Sequence, residues 1–275
     1  MADAHSPRSS MRSVARSDAV RVGARSGFAA RGVLYLLIGV LAVRIGMTGG
    51  GEQADRGGAL EQIAATPAGA VPLWALGAGL AGMALWRLTE AVFGAAGPDG
   101  HKPGKRALSA VRSVFYAFVA AVVLAFAAGA GDSGAGETDR QSQDATARLL
   151  ALPAGRWLVG AAAVGIVVAG LWIAARAVRR KYRKHLDQAM SKKARRYMDV
   201  TGVAGGVARG VLLAAVGYFA LRAAIDFDPD EAKGMDDAIR SFAQTGAGPW
   251  LLVALAAGLA LFGLFSFGMS RWRRV

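Results

Sequence analysis

A chain of 275 residues with 54% hydrophobic letters and a formal net charge of +14 is too apolar for an ordinary soluble domain. It has no cysteine, which excludes disulfides, thiolate metal sites and thiol nucleophiles. The positive charge would suit nucleic acid if it covered one soluble face; here it falls in blocks between long uncharged runs, so nucleic acid is not an expected partner.

Residues 1–24 are rich in Ser, Arg and Ala without apolar periodicity, the pattern of a disordered tail. A basic start before an apolar run also has the look of a secretory signal peptide. No A-x-A-type site follows the run, and the run recurs later, so cleavage is not expected. The first apolar run, residues 32–43, is bounded by Arg31 and Arg44. Thirteen residues of helix rise about 20 Å. Arginine stems snorkelling outward from both ends extend this across a hydrocarbon core of about 30 Å.

A Gly-rich turn over residues 47–58 and a short amphipathic stretch at 59–63 lead into the second run, residues 62–86 continuing to 93. Residues 95–106 read as a loop by composition. Runs three and four, residues 113–131 and 157–175, repeat the plan, with Asp144 an expected N-cap for a short helix before Leu150. The linker from 176 to 199 is the most basic stretch. Its Tyr182, Leu186, Ala189, Met190, Tyr197 and Met198 fall near one helical face, which is expected to lie on an anionic leaflet. Runs five and six, residues 210–221 with flanks and 249–270, complete the set. Arg209 and Arg222 repeat the spacing of Arg31 and Arg44, and residues 271–274 form a basic interfacial anchor.

Arg and Lys crowd residues 8–31, 102–112, 176–196 and 271–274, whereas acids crowd the segments between. This alternation predicts a multi-pass plasma-membrane protein with both termini in the cytoplasm. The expected fold is all-α: six transmembrane helices arranged as three tandem two-helix hairpins. These cover residues 25–97, 105–178 and 201–275, with a basic amphipathic linker at 179–200.

The hairpins align with one another. Arg31-Gly32-Val33-Leu34-Tyr35 matches Arg112-Ser113-Val114-Phe115-Tyr116 and Arg209-Gly210-Val211-Leu212-Leu213. Pro67-Ala68-Gly69 matches Pro153-Ala154-Gly155 and Gly246-Ala247-Gly248, after which Gly79, Gly165 and Gly258 coincide, as do Trp86, Trp172 and Phe265. Spacing kept at several anchors marks a duplication. Copies that each cross twice share one orientation, related by an axis along the membrane normal.

At these residues the chain resembles a bacterial membrane family, domain of unknown function 1206. The resemblance rests on Ala24-Arg25-Ser26-Gly27-Phe28-Ala29-Ala30-Arg31-Gly32-Val33-Leu34-Tyr35, on the Pro-x-Gly turn, and on Leu85-Trp86-Arg87-Leu88-Thr89-Glu90-Ala91. It implies a six-span integral membrane protein of three two-helix units and no established activity. Copy two departs from the pattern, with Ser113 for the glycine and Arg176 for Glu90. Copy three lacks the tyrosine and the proline.

Three groups of residues are candidates for binding. Arg31, Arg112 and Arg209 would ring the inner ends of spans one, three and five and contact an anion or lipid headgroups, or else act as separate snorkelling anchors. Arg87 and Glu90, one helical turn apart, form a candidate intramembrane pair. Arg179, Arg180, Lys181, Arg183 and Lys184 make a basic patch for the anionic inner leaflet. Gly77-Ala78-Gly79-Leu80-Ala81-Gly82 matches a dinucleotide fingerprint but lies mid-span without a βαβ unit, so close helix packing is expected. Residues 226–231 resemble a calcium loop with Glu231 where glycine is required. His5, His101 and His185 stand apart from co-ligands. No metal, no cofactor and no catalytic constellation is expected. The favoured reading is a non-enzymatic envelope component that contacts lipids or proteins. The alternative is a solute or anion transporter with a site between the repeats, an architecture shared with the mitochondrial carriers, whose charged signature is missing here.

Overall fold

The computed structural model describes residues 18–48, 56–66, 69–94, 102–129, 138–233, 235–243 and 248–273. Six helices are long and apolar enough to cross a membrane: α1 (Asp18–Thr48), α3 (Ala70–Phe93), α4 (Pro103–Ala127), α6 (Gly155–Val178), α7 (Lys192–Asp226) and α9 (Gly248–Trp272). Three short helices, α2 (Arg56–Ala64), α5 (Thr138–Leu150) and α8 (Met235–Ala243), each precede the second span of a hairpin. The chain is thus an all-α, multi-pass membrane protein built of three helical hairpins.

Local chemistry sets the boundaries. Pro103 opens α4, where its missing N–H and fixed φ cost nothing. Ser191, in extended backbone, caps α7 by accepting from Ala194 N at 3.2 Å. Gly69 and Gly155 hold the same place in hairpins one and two. A Cβ on either would run into a backbone carbonyl of the preceding short helix, Ile63 O or Leu149 O, so only glycine lets that helix fold back onto its span.

Two segments differ from the expected outline. The tail expected at 1–24 is already helical from Asp18, because α1 runs 31 residues; residues 1–17 lie outside the described part. The basic linker is no single amphipathic helix. It is a 3-10 turn (Lys181–His185) followed by an extended stretch, and its last residues belong to α7. Three of its apolar side chains face the bundle: Leu186 and Met198 are buried, and the Tyr182 ring meets Phe265 edge-on at 5.1 Å, while Ala189 is exposed.

The six spans form an interrupted ring. α3 packs between α1 and α4, α9 packs between α1 and α7, and α7 packs on α6. Helices of different hairpins meet through one repeated contact. A Cβ on Gly210 would lie 2.6 Å from Gly170 O, and one on Gly263 would lie 2.8 Å from Gly32 O. At the matching place between hairpins one and two, Ser113 Oγ donates to Ala84 O at 2.9 Å. Close backbone approach through small residues is how helices associate in lipid, where dispersion replaces the hydrophobic effect. The serine that departs from the repeat therefore keeps the contact by a hydrogen bond.

Within hairpins the picture changes. α1 packs on α3 and α7 packs on α9, but α4 and α6 form no packed interface among the described residues. The ring is open inside its second hairpin.

Candidate functional site

The first helix of each hairpin, α1, α4 and α7, brings an arginine, and Arg209 lies within electrostatic reach of both Arg31 and Arg112. Arg31 lies mid-helix in α1. Its Nε donates to Ser266 Oγ at 3.0 Å, and its guanidinium lies 4.9 Å from the Phe28 ring centroid and 5.1 Å from that of Phe262. Arg209 also lies over Phe262, 5.0 Å from its ring centroid, and 5.8 Å from that of Tyr35. Cation–π contacts of this kind stabilise a desolvated guanidinium by about 2 kcal/mol.

A cyclic pattern joins the repeats. The Arg31 guanidinium interacts with the Tyr116 side chain, and that of Arg209 with Tyr35, 5.8 Å from its ring centroid. In both cases the tyrosine belongs to the next hairpin around the ring and stands one helical turn beyond that hairpin's own arginine. Arg112 should complete the cycle, but position 213 is leucine. Among the described residues Arg112 has no hydrogen bond or ion pair and feels the like charges of Arg87, Arg209 and Arg176.

Two more arginines extend the cluster toward the basic end of the bundle. Arg87 is buried beneath the Trp86 ring at 4.2 Å, and its Nη1 donates to Glu90 Oε2 at 2.6 Å. Glu90 also accepts from Ser109 at 3.3 Å and faces Arg273 at 3.9 Å. Arg273 is not the interfacial anchor expected from the sequence. An antiparallel bridge between Leu186 and Arg273 and a bond from Asp187 N to Trp272 O at 2.9 Å tie Arg273, just past α9, to the linker. There Arg273 stacks on Trp86 at 4.6 Å and Phe28 at 5.1 Å.

Five arginines from five segments thus converge, with Glu90 the carboxylate in contact among the described residues. The Nε atoms of Arg87 and Arg273 are buried without an acceptor among those residues. Buried donors normally find a partner, and buried like charges need compensation. Chemically, the cluster is suited to an oxyanion that accepts several charge-assisted hydrogen bonds.

The basic patch is less uniform than its composition. Arg183 is committed to Asp199 through both carboxylate oxygens, which holds the guanidinium above its ordinary value. The Lys181 ammonium lies 5.4 Å over Trp172, while Arg179, Arg180 and Lys184 are exposed. His185, half-buried beside this patch, is pushed down to about 4 by burial, with the Arg273 and Lys184 charges adding. The glycines of residues 77–82 serve packing: a Cβ on Gly77 would meet Leu124 at 2.5 Å and one on Gly82 would meet Gly23 at 2.8 Å. Asp226 and Glu231 pair with Arg222 at 3.0 and 3.8 Å. His5 and His101 lie outside the described residues.

Tyr35, Tyr116, Ser266 and Arg273 were not singled out by sequence reasoning. The Arg-x-x-x-Tyr spacing in two of three repeats is the signal that marks the tyrosines; nothing local marks Ser266 or the inward turn of Arg273.

The family model described as Domain of Unknown Function (DUF1206) matches three times, over residues 26–94, 108–180 and 204–273. The chain belongs to the DUF1206 family. The uncharacterized protein YxxB of Bacillus subtilis (strain 168) is 33% identical over 248 residues, covering 88% of this chain and 87% of that one. No solved structure matches the chain significantly. The three matched segments coincide with the three hairpins, so the family's repeat is the structural unit of the ring.

Proposed function

We propose that this DUF1206 protein is a non-enzymatic component of the bacterial plasma membrane that binds anionic phospholipid headgroups at its arginine cluster. The observation that carries this reading is the electrostatic proximity of Arg31, Arg87, Arg112, Arg209 and Arg273, of which Arg87 and Arg273 meet Glu90, a surplus of cations that a phosphate would neutralise. The positive-inside rule turns the basic end, with Arg179, Arg180, Lys184 and both termini, toward the cytoplasm. The cluster then opens toward the inner leaflet, where anionic lipids reside. The exposed patch would hold the surrounding headgroups loosely, each cation contributing about 1 kcal/mol near the surface.

Native mass spectrometry of the full chain, released from bilayers of equal phosphatidylglycerol and phosphatidylcholine, tests the reading. It expects retained phosphatidylglycerol in excess, and loss of that excess in Arg31→Gln/Arg209→Gln. Equal retention of both lipids would contradict it.

A second reading, transport of a small anion, is favoured by one observation: Arg31, Arg209, Tyr35 and Tyr116 stand where the three repeats meet, the position of substrate sites in transporters built from repeats. Anion flux into proteoliposomes, abolished by Arg31→Gln, would establish it. Flux equal to that of empty liposomes would remove it.

A further inference from the structure

The opening inside the second hairpin can be read residue by residue against its two closed counterparts. In hairpin one a Cβ on Gly79 would lie 3.1 Å from Ala30 Cβ, and in hairpin three a Cβ on Gly258 would collide with Ala208. Gly165, the matching residue of hairpin two, has nothing within 4 Å. Seven residues on, Trp86 and Phe265 are buried, whereas Trp172 is 55% exposed. Across the furrow, Val111 is 66% exposed on α4, where its counterparts Ala30 and Ala208 are buried. A whole helix–helix interface is thus present twice and missing once, leaving an apolar furrow between α4 and α6 where Val111, Gly165 and Trp172 are uncovered.

The furrow has a charged mouth at the basic end. Arg112, exposed and without a tyrosine from the next hairpin, where position 213 is leucine, stands on the α4 side within electrostatic reach of Arg176 on the α6 side. Lys181 lies over Trp172 beside them. Where hairpin one carries Glu90, hairpin two carries Arg176, so the substitution that breaks the repeat adds a cation here. A cationic mouth below an apolar slot is complementary to one molecule type, an anionic headgroup on an acyl chain. A second copy of the chain seated face to face would bring Arg112 and Arg176 against their own like charges, which disfavours it.

We propose that the furrow between α4 and α6 seats one anionic glycerophospholipid, an acyl chain lying where hairpins one and three pack helix on helix and the phosphate held by Arg112 and Arg176. This rests on the headgroup reading above and assigns it a place: lipid reaches the arginine cluster sideways, through the second hairpin.

The test uses the full chain in the same phosphatidylglycerol bilayers, with two variants that leave Arg31 and Arg209 untouched. Gly165→Phe fills the slot, and with nothing within 4 Å of the glycine it has room to fold; unchanged helical circular dichroism and elution volume check this. Leu213→Tyr gives Arg112 the partner that the other arginines have. Retained phosphatidylglycerol is expected to fall about tenfold in Gly165→Phe and less in Leu213→Tyr, while protection of the cluster by glycerol 3-phosphate against arginine-directed labelling stays at the unsubstituted level in Gly165→Phe. Full retention of lipid by Gly165→Phe would overturn the furrow and leave the headgroup reading standing. Loss of glycerol 3-phosphate protection together with the lipid would also overturn it, by showing that the substitution acts on the cluster. A dimer of the unsubstituted chain that Gly165→Phe splits, with lipid retention unchanged, would assign the furrow to a second copy instead. Equal retention of phosphatidylcholine by the unsubstituted chain would end the headgroup reading and this one with it.

Discussion

Hairpins one and three are closed and hairpin two is open, although all three descend from one repeat. The closed pairs bury Trp86 or Phe265 and bring Gly79 or Gly258 against an alanine of the partner helix. The open pair keeps the tryptophan and the glycine, at Trp172 and Gly165, but gives them no neighbouring helix. The contacts between hairpins therefore suffice to hold the ring. α4 is secured by α3 and α6 by α7, so the interface inside hairpin two is dispensable for the fold and left over for another use.

The largest effect should come from the buried aromatic at the closed interface. Trp86→Ala removes the ring that Phe28 meets at 5.5 Å and on which Arg87 and Arg273 stack. It is expected to cost about 3–5 kcal/mol in detergent-denaturation experiments, whereas Trp172→Ala at the matching place should stay within about 1 kcal/mol. Equal losses would mean that hairpin two is closed in the membrane. Overpacking sharpens the same contrast. Gly79→Leu must push against Ala30 and the Ser26 carbonyl and is expected to cost about 1–3 kcal/mol, read as a lowered unfolding midpoint. Gly165→Leu should leave the midpoint in place.

Smaller still is the hydrogen bond that replaces a glycine contact between hairpins. Ser113→Ala should lose about 0.5–1.5 kcal/mol, while Ser113→Gly should recover part of it by restoring the close approach seen at Gly32 and Gly210. The last effect is one of pH. Burial holds His185 at about 4 in the folded protein against an ordinary value near 6.5. A depressed histidine leaves the unfolded state binding more protons, so its contribution is full above about pH 6.5 and is lost as pH falls toward 4. Thermal midpoints measured from pH 7.5 to 4.5 should fall less steeply in His185→Gln than in the unsubstituted chain.

Much of the architecture was legible because it is written in composition and period. Six apolar runs, the thirteen-residue arginine spacing and the coincidence of Gly79, Gly165 and Gly258 give the spans and the repeat. The start of α1 at Asp18 was not legible, since Ser, Arg and Ala in its first turns carry no apolar period and the helix is held by what it packs against. Nor was the opening, because Trp172 and Gly165 read like their buried counterparts. The signals that did point to it were departures from the pattern: Leu213 for tyrosine, Ser113 for glycine, Arg176 for glutamate. Each has a consequence in hairpin two or at its border. Arg31, Arg112 and Arg209 were legible as a set, but their inward direction depends on the ring, which no single helix determines.

Paired cysteines test the central asymmetry most directly, since the chain has no native cysteine. Ala30→Cys with Gly79→Cys places two sulfurs across hairpin one, where the Cβ positions lie 3.1 Å apart, so a parting of the helices by a few tenths of an ångström reaches the separation of about 3.5–4.5 Å that a disulfide needs. Val111→Cys with Gly165→Cys occupies the matching positions of hairpin two. In native membranes under mild oxidation the first pair should cross-link and the second should stay reduced. Equal cross-linking of both pairs would show three closed hairpins and contradict the open ring.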